Sequence, residues 1–189
     1  ARKQDERDVE AWYLSAVALR LDRCFDAAGE RLQELQVRFP NFSLTLQERG
    51  HLFRDRKELP AALESYLQAV RRNPTLRGAW QSVGRLAGQR GDAALVSQAQ
   101  EQLELLDKTP PALLRAKHAL AERDVDLAER LCREYLRANP LDVVAMRLPA
   151  AIGVERQVYD DADYLLETAL EIEPDSDELR LEYAAVLFK

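Results

Sequence analysis

The sequence predicts an all-α protein built from repeated pairs of antiparallel helices, and three observations lead to that prediction. Prolines that end apolar helical segments recur 34 residues apart, once from Pro40 to Pro74 and again from Pro140 to Pro174. An alanine stands twelve positions before each of these prolines, and a small residue stands 24 positions before it. Apolar residues between the prolines recur at i, i+4 and i+7, which is one face of a helix. A fixed period of this length is typical of stacked helix hairpins.

These positions divide the chain into five repeats and a half repeat, each with a helix A followed by a helix B. In the first repeat Trp12, Ala16 and Leu19 share one face of helix A. The small residue at the eighth position of each repeat lets helix A approach helix B closely. The proline ends helix B because the residue before it is pushed out of the helical region. The predicted repeats form one domain over residues 1–189 and span 9–42, 43–76, 77–108, 109–142, 143–176 and 177–189.

Two repeats depart from the pattern. The third has 32 residues, carries Lys108 where proline is expected, and is followed by Pro110 and Pro111, which suit the first turn of a helix. Pro149 falls inside helix A of the fifth repeat, where an interior proline costs about 3 kcal/mol. The sequence therefore predicts a kink or a late helix start at Pro149.

Composition and charge exclude several function classes. The formal net charge is −6 with a pI near 5.1, which argues against general nucleic-acid binding because that needs a basic footprint. No segment approaches the roughly 20 apolar residues that cross a bilayer, and the charged N-terminus does not resemble a signal peptide. Cys24 and Cys132 are predicted to be reduced thiols. A cytoplasmic protein without membrane or nucleic-acid partners is the resulting prediction.

The sequence offers no constellation for catalysis. His51 and His118 are the only histidines, and neither has cysteine or carboxylate ligands at zinc-like spacing. The acidic cluster Asp160, Asp161 and Asp163 is interpreted as the favourable charge at a helix N-terminus rather than as a cation site. No cofactor, metal or catalytic residue is therefore expected, and this chain is not predicted to be an enzyme on its own. Whether a longer parent protein is one stays open.

The pattern of small residues at repeat position 8, alanine at 20 and proline at 32 resembles the tetratricopeptide repeat over nearly the whole chain. The resemblance implies a right-handed α-solenoid in which the A helices line a concave groove that holds peptides or docked domains. It also allows one partner to be rejected. Repeats that capture the C-terminal carboxylates of heat-shock chaperones place lysine at position 5 and asparagine at position 9, and no repeat of this chain does so.

Repeat positions 5, 9 and 12 are expected to face that groove, and these eighteen positions hold five basic residues and no acidic one. One interpretation is an ordinary solvated helical surface. The other is a protein–protein interaction scaffold whose cations steer an extended acidic or polar partner segment, with Tyr13 and the two glutamines supplying packing and hydrogen bonds. The candidate partner-binding residues are Tyr13, Arg20, Gln47, His51, Arg54, Gln81, Arg85, Lys117 and Arg147.

Residues 112–189 also resemble the repeat arm found ahead of bacterial sulfotransferase domains. That resemblance implies an alternative function, an arm that presents substrate to, or regulates, an attached C-terminal catalytic domain. No sulfate-donor phosphate loop lies in these residues, so no catalytic residue follows from the resemblance.

The last helix, in 177–189, has no helix B to cover it. Leu179, Tyr183, Val186 and Leu187 are therefore predicted to lie exposed, whereas a terminal repeat is normally polar. The sequence predicts that the native chain continues, or that this helix mediates self-association.

Overall fold

A computed structural model describes the backbone of residues 2–188 and the side chains of residues 9–188 other than Glu155. Over these residues the chain forms eleven α-helices and no strand, so the predicted all-α class is confirmed. The helices are α1 Arg2–Leu21, α2 Phe25–Arg38, α3 Leu44–Asp55, α4 Leu59–Arg72, α5 Arg77–Arg90, α6 Ala93–Lys108, α7 Pro111–Ala121, α8 Val125–Ala138, α9 Val143–Glu155, α10 Tyr159–Ile172 and α11 Asp177–Leu187. None of these helices combines the length and the apolar character needed to cross a bilayer.

The chain divides into two compact units, unit 1 over Ala1–Lys108 with α1–α6 and unit 2 over Thr109–Lys189 with α7–α11. In unit 1, α1 packs on α2, α3 on α4 and α5 on α6. The first pair contacts the second through α2 and α3, and the second pair contacts the third through α4 and α5. In unit 2, α7 packs on α8 and α9 on α10, while α8 contacts α9 and α10 contacts α11. The single repeat domain over residues 1–189 stays a prediction.

The regular spacing of small residues has a direct packing consequence. The four alanines that precede the helix-ending prolines by twelve positions are all 0% exposed, and they are Ala28, Ala62, Ala128 and Ala162. Because an alanine adds only a methyl group, the facing helix A can lie against helix B at these positions. At Gly50 even a methyl group does not fit, since an added Cβ would lie 2.5 Å from the Tyr66 ring.

Each turn from helix A to helix B holds one residue in the left-handed region. The amide of the residue that follows it donates to the helix carbonyl five positions earlier, as from Cys24 to Leu19 and from Glu58 to Phe53. This bond satisfies a carbonyl that the helix end leaves unpaired, in the manner of a Schellman turn. The left-handed residues have φ between 61° and 73° and are Arg23, Lys57, Gly91, Arg123 and Gln157.

Helix α9 does not start late. Its N-cap Asp142 accepts a hydrogen bond from the Ala145 amide at 3.0 Å, and the helix begins at Val143. Pro149 lies inside the helix, which continues to Glu155. Of the two predicted outcomes, the late start is therefore wrong, because the cap fixes the first turn before the proline is reached, and the kink stays a prediction.

The prediction that α11 exposes its apolar residues is wrong for two of them. Leu179 is 1% exposed and Val186 is 6% exposed, because both pack into the core that α9 and α10 form. The strongly exposed apolar residues of this helix and its C-cap lie on its other sides, and they are Leu181, Leu187 and Phe188.

The two cysteines are free thiols in different environments. Cys24 is exposed at the start of α2, whereas Cys132 is buried in α8. Burial, and to a lesser extent the charge of Glu129, raises the pKa of the Cys132 thiol to about 11. Cys132 therefore behaves as a small apolar core residue.

Candidate binding faces of the A helices

The candidate residues fall on two surfaces, one in each unit. The unit 1 face is carried by α1, α3 and α5 and consists of Tyr13, Arg20, Gln47, His51, Arg54, Gln81 and Arg85. The unit 2 face is carried by α7, α9 and α11, and its candidate residues are Lys117 and Arg147.

Arg20 on α1 is occupied by two carboxylates of α3. Its Nε donates to Glu48 Oε1, and its Nη1 donates to Asp55 Oδ2 at 2.5 Å. The Arg20 side chain is 10% exposed and that of Glu48 is 2% exposed. Burial alone would lower the pKa of Arg20, but the bonds to Glu48 and Asp55 outweigh it and raise the pKa. Arg20 therefore joins α1 to α3 and offers little to a partner.

Arg54 is held by its sequence neighbour. Its Nε and Nη2 donate to Asp55 Oδ1 at 3.0 and 2.8 Å. Asp55 thus accepts from Arg54 and Arg20, and these two arginines lower its pKa despite the opposing effect of burial. Two arginines face two carboxylates here, so this part of the unit 1 face carries no net charge.

His51 contributes a neutral ring. Its Nδ1 shares a hydrogen bond of 2.6 Å with the hydroxyl of Tyr66, which is 0% exposed. Burial lowers the pKa of His51 to about 4, and the positive charges of Arg54 and Arg20 act in the same direction. The ring is therefore uncharged at neutral pH and fixed in orientation by Tyr66.

Tyr13 and Gln47 are both half-buried. The Tyr13 ring meets Phe42 edge-on with its centroid 5.6 Å away. Gln47 on α3 reaches α5, where its Oε1 lies 3.4 Å from the position that a Cβ on Gly78 would occupy. Both side chains thus have defined positions before any partner arrives.

The α5 part of the unit 1 face is open. Gln81, Arg85 and Gly88 lie one turn apart and are all exposed. Within the part of the chain that the structure describes, Arg85 forms no ion pair, and its charge reaches His51, whose pKa it helps to lower. Arg85 is therefore the cation of the unit 1 face that is available to a ligand.

The unit 2 face differs in chemistry. Arg147 Nε donates to Glu182 Oε2 at 3.0 Å, its Nη2 donates to Glu182 Oε1 at 2.6 Å, and Glu178 lies 3.1 Å from the same nitrogen. Lys117 is half-buried and has no ion pair among the described residues. Beside the Arg147–Glu182 pair lies an apolar cleft of about 290 Å³, lined by Ala150, Ala151, Val154, Leu166, Ala185 and Val186.

The structure therefore revises the interpretation that the five basic residues at the groove positions are all available to a partner. Three of these five residues, Arg20, Arg54 and Arg147, are neutralised by carboxylates of the same unit. The sequence did carry a signal for this, because Arg20 precedes Asp55 by 35 residues and Arg147 precedes Glu182 by the same interval. This interval, one repeat plus one residue, points to a carboxylate on the next helix A.

No group of three or more His, Cys, Asp or Glu side chains in the described part of the chain is arranged to hold a metal ion. On the unit 1 face, Arg20 and Asp55 have shifted pKa values and form ion pairs, His51 is bonded to Tyr66, and burial raises the pKa of Tyr13.

The chain matches no protein-family model, and no curated protein matches it either. Among solved structures it is similar to the MamA protein, at 20% identity and a TM-score of 0.47, over 88% of this chain and 92% of that one. A tetratricopeptide repeat protein from Parabacteroides merdae is 18% identical with a TM-score of 0.47, covering 96% of this chain and 73% of that one. YrrB, described as a TPR protein with an unusual peptide-binding site, is 14% identical with a TM-score of 0.48, covering 97% and 95%. With TM-scores below 0.5, these similarities carry no argument about the two faces.

Proposed function

We propose that this chain is a protein–protein interaction scaffold that holds an extended polar or acidic segment of a partner against the unit 1 face, centred on Arg85. The observation that carries the proposal is the contrast between Arg85 and the other arginines of the face. Arg20 and Arg54 are paired with carboxylates, whereas Arg85 is exposed and unpaired among the described residues. An exposed guanidinium can bind a carboxylate through two parallel hydrogen bonds, which gives both affinity and orientation.

The surroundings of Arg85 support this role. Gln81 lies one turn before it on the same exposed side of α5, and amides of this kind can hydrogen-bond a partner main chain. His51 is neutral, so Arg85 supplies the positive charge of this part of the face. Gly88, one turn after Arg85, leaves room for a chain to lie close to the helix.

The ion-pair network of the same face, on α1 and α3, supports binding indirectly. Arg20 joins α1 to Glu48 and Asp55 of α3, and Arg54 pairs with Asp55 within α3. A surface fixed in advance loses less conformational entropy when it binds. We propose that Tyr13, Gln47 and His51 contact the partner from this fixed background, and that Lys117 and Arg147 belong to a separate contact surface on unit 2.

The alternative function, an arm attached to a sulfotransferase-type catalytic domain, rests on the sequence resemblance of residues 112–189. Among the residues of unit 2 that the structure describes, no contact favours it over a free-standing scaffold. The cytoplasmic location likewise stays a prediction from the sequence.

Selection of peptides from a random library on the immobilised chain tests the proposal. We expect the selected peptides to be enriched in Asp and Glu and to lose about tenfold in affinity for Arg85→Glu, which corresponds to about 1.4 kcal/mol. Arg90→Glu is the matched control, because Arg90 is also exposed on α5 but lies outside the unit 1 face. Equal loss for both variants, or none for either, would remove Arg85 from the proposed site.

A further inference from the structure

Unit 2 contains a second cleft that the A-helix faces do not include. It has a volume of about 450 Å³ and lies where α8, α9 and α10 meet. Its apolar lining consists of Leu136, Pro149, Ile152, Gly153, Val158 and Leu165. Tyr164, which is 68% exposed, stands at the edge of this cleft, which we call the α8–α10 cleft.

A comparison within the chain identifies two long side chains that this region lacks. The left-handed turn residues Lys57 and Gln157 occupy the same place in their repeats and are 100 residues apart. At this offset, Pro149 and Gly153 of α9 correspond to Arg49 and Phe53 of α3. The Arg49 guanidinium lies 5.9 Å from the centroid of the Phe53 ring. In unit 2 a glycine replaces that aromatic ring and a proline replaces that arginine, so both long side chains are missing.

The wall of the α8–α10 cleft nevertheless keeps two arginines. Arg133 lies 2.6 Å from Glu129 and 3.8 Å from Asp161, and Arg156 pairs with Asp126 and lies 2.8 Å from Glu129. These carboxylates hold the guanidinium groups at the rim. A planar cation beside an apolar floor is a favourable environment for an aromatic ring, through cation–π contact and burial of apolar area.

The chain beside the cleft is strongly acidic. From Gln157 to Leu179 there are nine acidic residues and no lysine or arginine. Asp160, Asp161 and Glu167 are exposed on the same helix as Tyr164. Charges at the edge of an interface select partners of opposite sign and speed their approach.

From these observations we propose that the α8–α10 cleft is a docking site for one aromatic side chain of a partner protein, on a segment with lysine or arginine next to that residue. The ring lies on the floor formed by Pro149 and Gly153, between Tyr164 and Arg133. The neighbouring basic residues meet the carboxylates of α10. The site is separate from the unit 1 face and is independent of the function proposed there.

The test uses three five-residue peptides with blocked ends and the complete ¹⁵N-labelled chain. In the first, two lysines stand on each side of a tryptophan; in the second, alanine replaces the tryptophan; in the third, glutamates replace the lysines. The amide resonances of Gly153, Tyr164 and Leu165 are followed during titration. We expect saturable shifts with the first peptide and a Kd below about 1 mM. The alanine peptide should cause no shift at these residues, and the glutamate peptide should bind about tenfold more weakly.

Variants separate binding in the cleft from attraction to the acidic surface. Tyr164→Ala should weaken the first peptide about tenfold, whereas Leu141→Ala, which removes an exposed apolar side chain elsewhere in unit 2, should leave the Kd unchanged. Pro149→Gln restores the missing amide of α9 and places a long neutral side chain in the cleft, so it should abolish binding in a protein that remains folded. The proposal is overturned if the alanine peptide shifts the same resonances, if no peptide does, or if Tyr164→Ala binds as tightly as the unmodified chain.

Discussion

Arg20 on α1 donates through Nη1 to Asp55 on α3 at 2.5 Å, and the same guanidinium bonds Glu48 through Nε. The pair joins two successive A helices of unit 1. Since Glu48 is 2% exposed, its charge has no access to water and depends on Arg20 for compensation. In a buried ion pair of this kind, removal of one partner costs more folding free energy than removal of both.

Arg20→Met should therefore lower the free energy of unfolding of unit 1 by about 3 kcal/mol, because it leaves Glu48 buried and uncompensated. The double variant Arg20→Met/Glu48→Leu should recover most of that loss. Arg54→Met is the control and should cost less than about 1 kcal/mol, because Arg54 and Asp55 are partly exposed. Both tryptophans, Trp12 and Trp80, lie in unit 1, so urea unfolding followed by tryptophan fluorescence reports on this unit. A double variant less stable than the single variant would contradict the assigned role.

His51 should make unit 1 less stable in mild acid. Its pKa is about 4 in the folded protein against an ordinary value of 6.5, so the unfolded chain binds the proton more readily between these two values. Stability should be fully present above about pH 6.5 and should fall as the pH decreases towards 4. Because the ring is half-exposed, the expected loss is about 1–2 kcal/mol.

The measurement compares the unmodified chain with His51→Gln, which lacks a titratable ring. The difference in unfolding free energy between the two should change across this pH range. A constant difference would show that His51 titrates alike in the folded and unfolded states.

Gly50 and Gly84 occupy the same position in successive repeats but should respond in opposite ways to alanine. A Cβ at Gly50 would lie 2.5 Å from the Tyr66 ring, which is fully buried and bonded to His51. Gly50→Ala should therefore cost about 1–3 kcal/mol through overpacking. A Cβ at Gly84 would lie 3.3 Å from the Ala99 methyl group, a contact that a small helix shift relieves. Gly84→Ala should range from neutral to a gain of about 1 kcal/mol, since alanine favours the helix. Fluorescence-monitored unfolding of both variants checks the contrast, and equal effects would contradict it.

The left-handed residues that follow α3 and α5 allow a second pair of substitutions to be compared. Lys57 has φ 63° and Gly91 has φ 73°, and both are exposed at the end of a helix A. A residue with a Cβ is strained by roughly 1–2 kcal/mol in this region, whereas glycine is not. Lys57→Gly should stabilise unit 1 by about 0.5–1 kcal/mol, and Gly91→Ala should destabilise it by about 1 kcal/mol. Changes of the same sign in the two unfolding midpoints would show that contacts of Lys57 outweigh its backbone strain.

Local patterns in the sequence determine much of this fold. The alanines before each proline, such as Ala28, indicated where helix B is buried, and the prolines indicated where it ends. The partners of Arg20 and Arg147 were harder to predict, because they lie on another helix A and depend on which way long side chains turn. Leu179 was judged from the absence of a following helix, yet it is buried in the core that the preceding helices α9 and α10 form. The α8–α10 cleft adjoins Gly153, which the predicted repeats already align with Phe53, but the sequence alone does not show that a cleft forms there.

Pro149 gives the last prediction. Its ring lies inside α9, so the Ala145 carbonyl has no amide donor four residues later. Pro149→Ala supplies that amide and should stabilise unit 2. An interior proline costs about 3 kcal/mol, and part of this gain is offset because alanine leaves the unfolded chain more freedom, so a net gain of about 1–2 kcal/mol is expected. The loss of the ring should offset a further part of the gain, since Pro149 is buried beside the α8–α10 cleft. Amide hydrogen exchange checks this directly, and protection from Met146 to Gly153 should increase in the variant. Weaker protection would mean that the packing of the proline ring contributes more to α9 than the restored hydrogen bond.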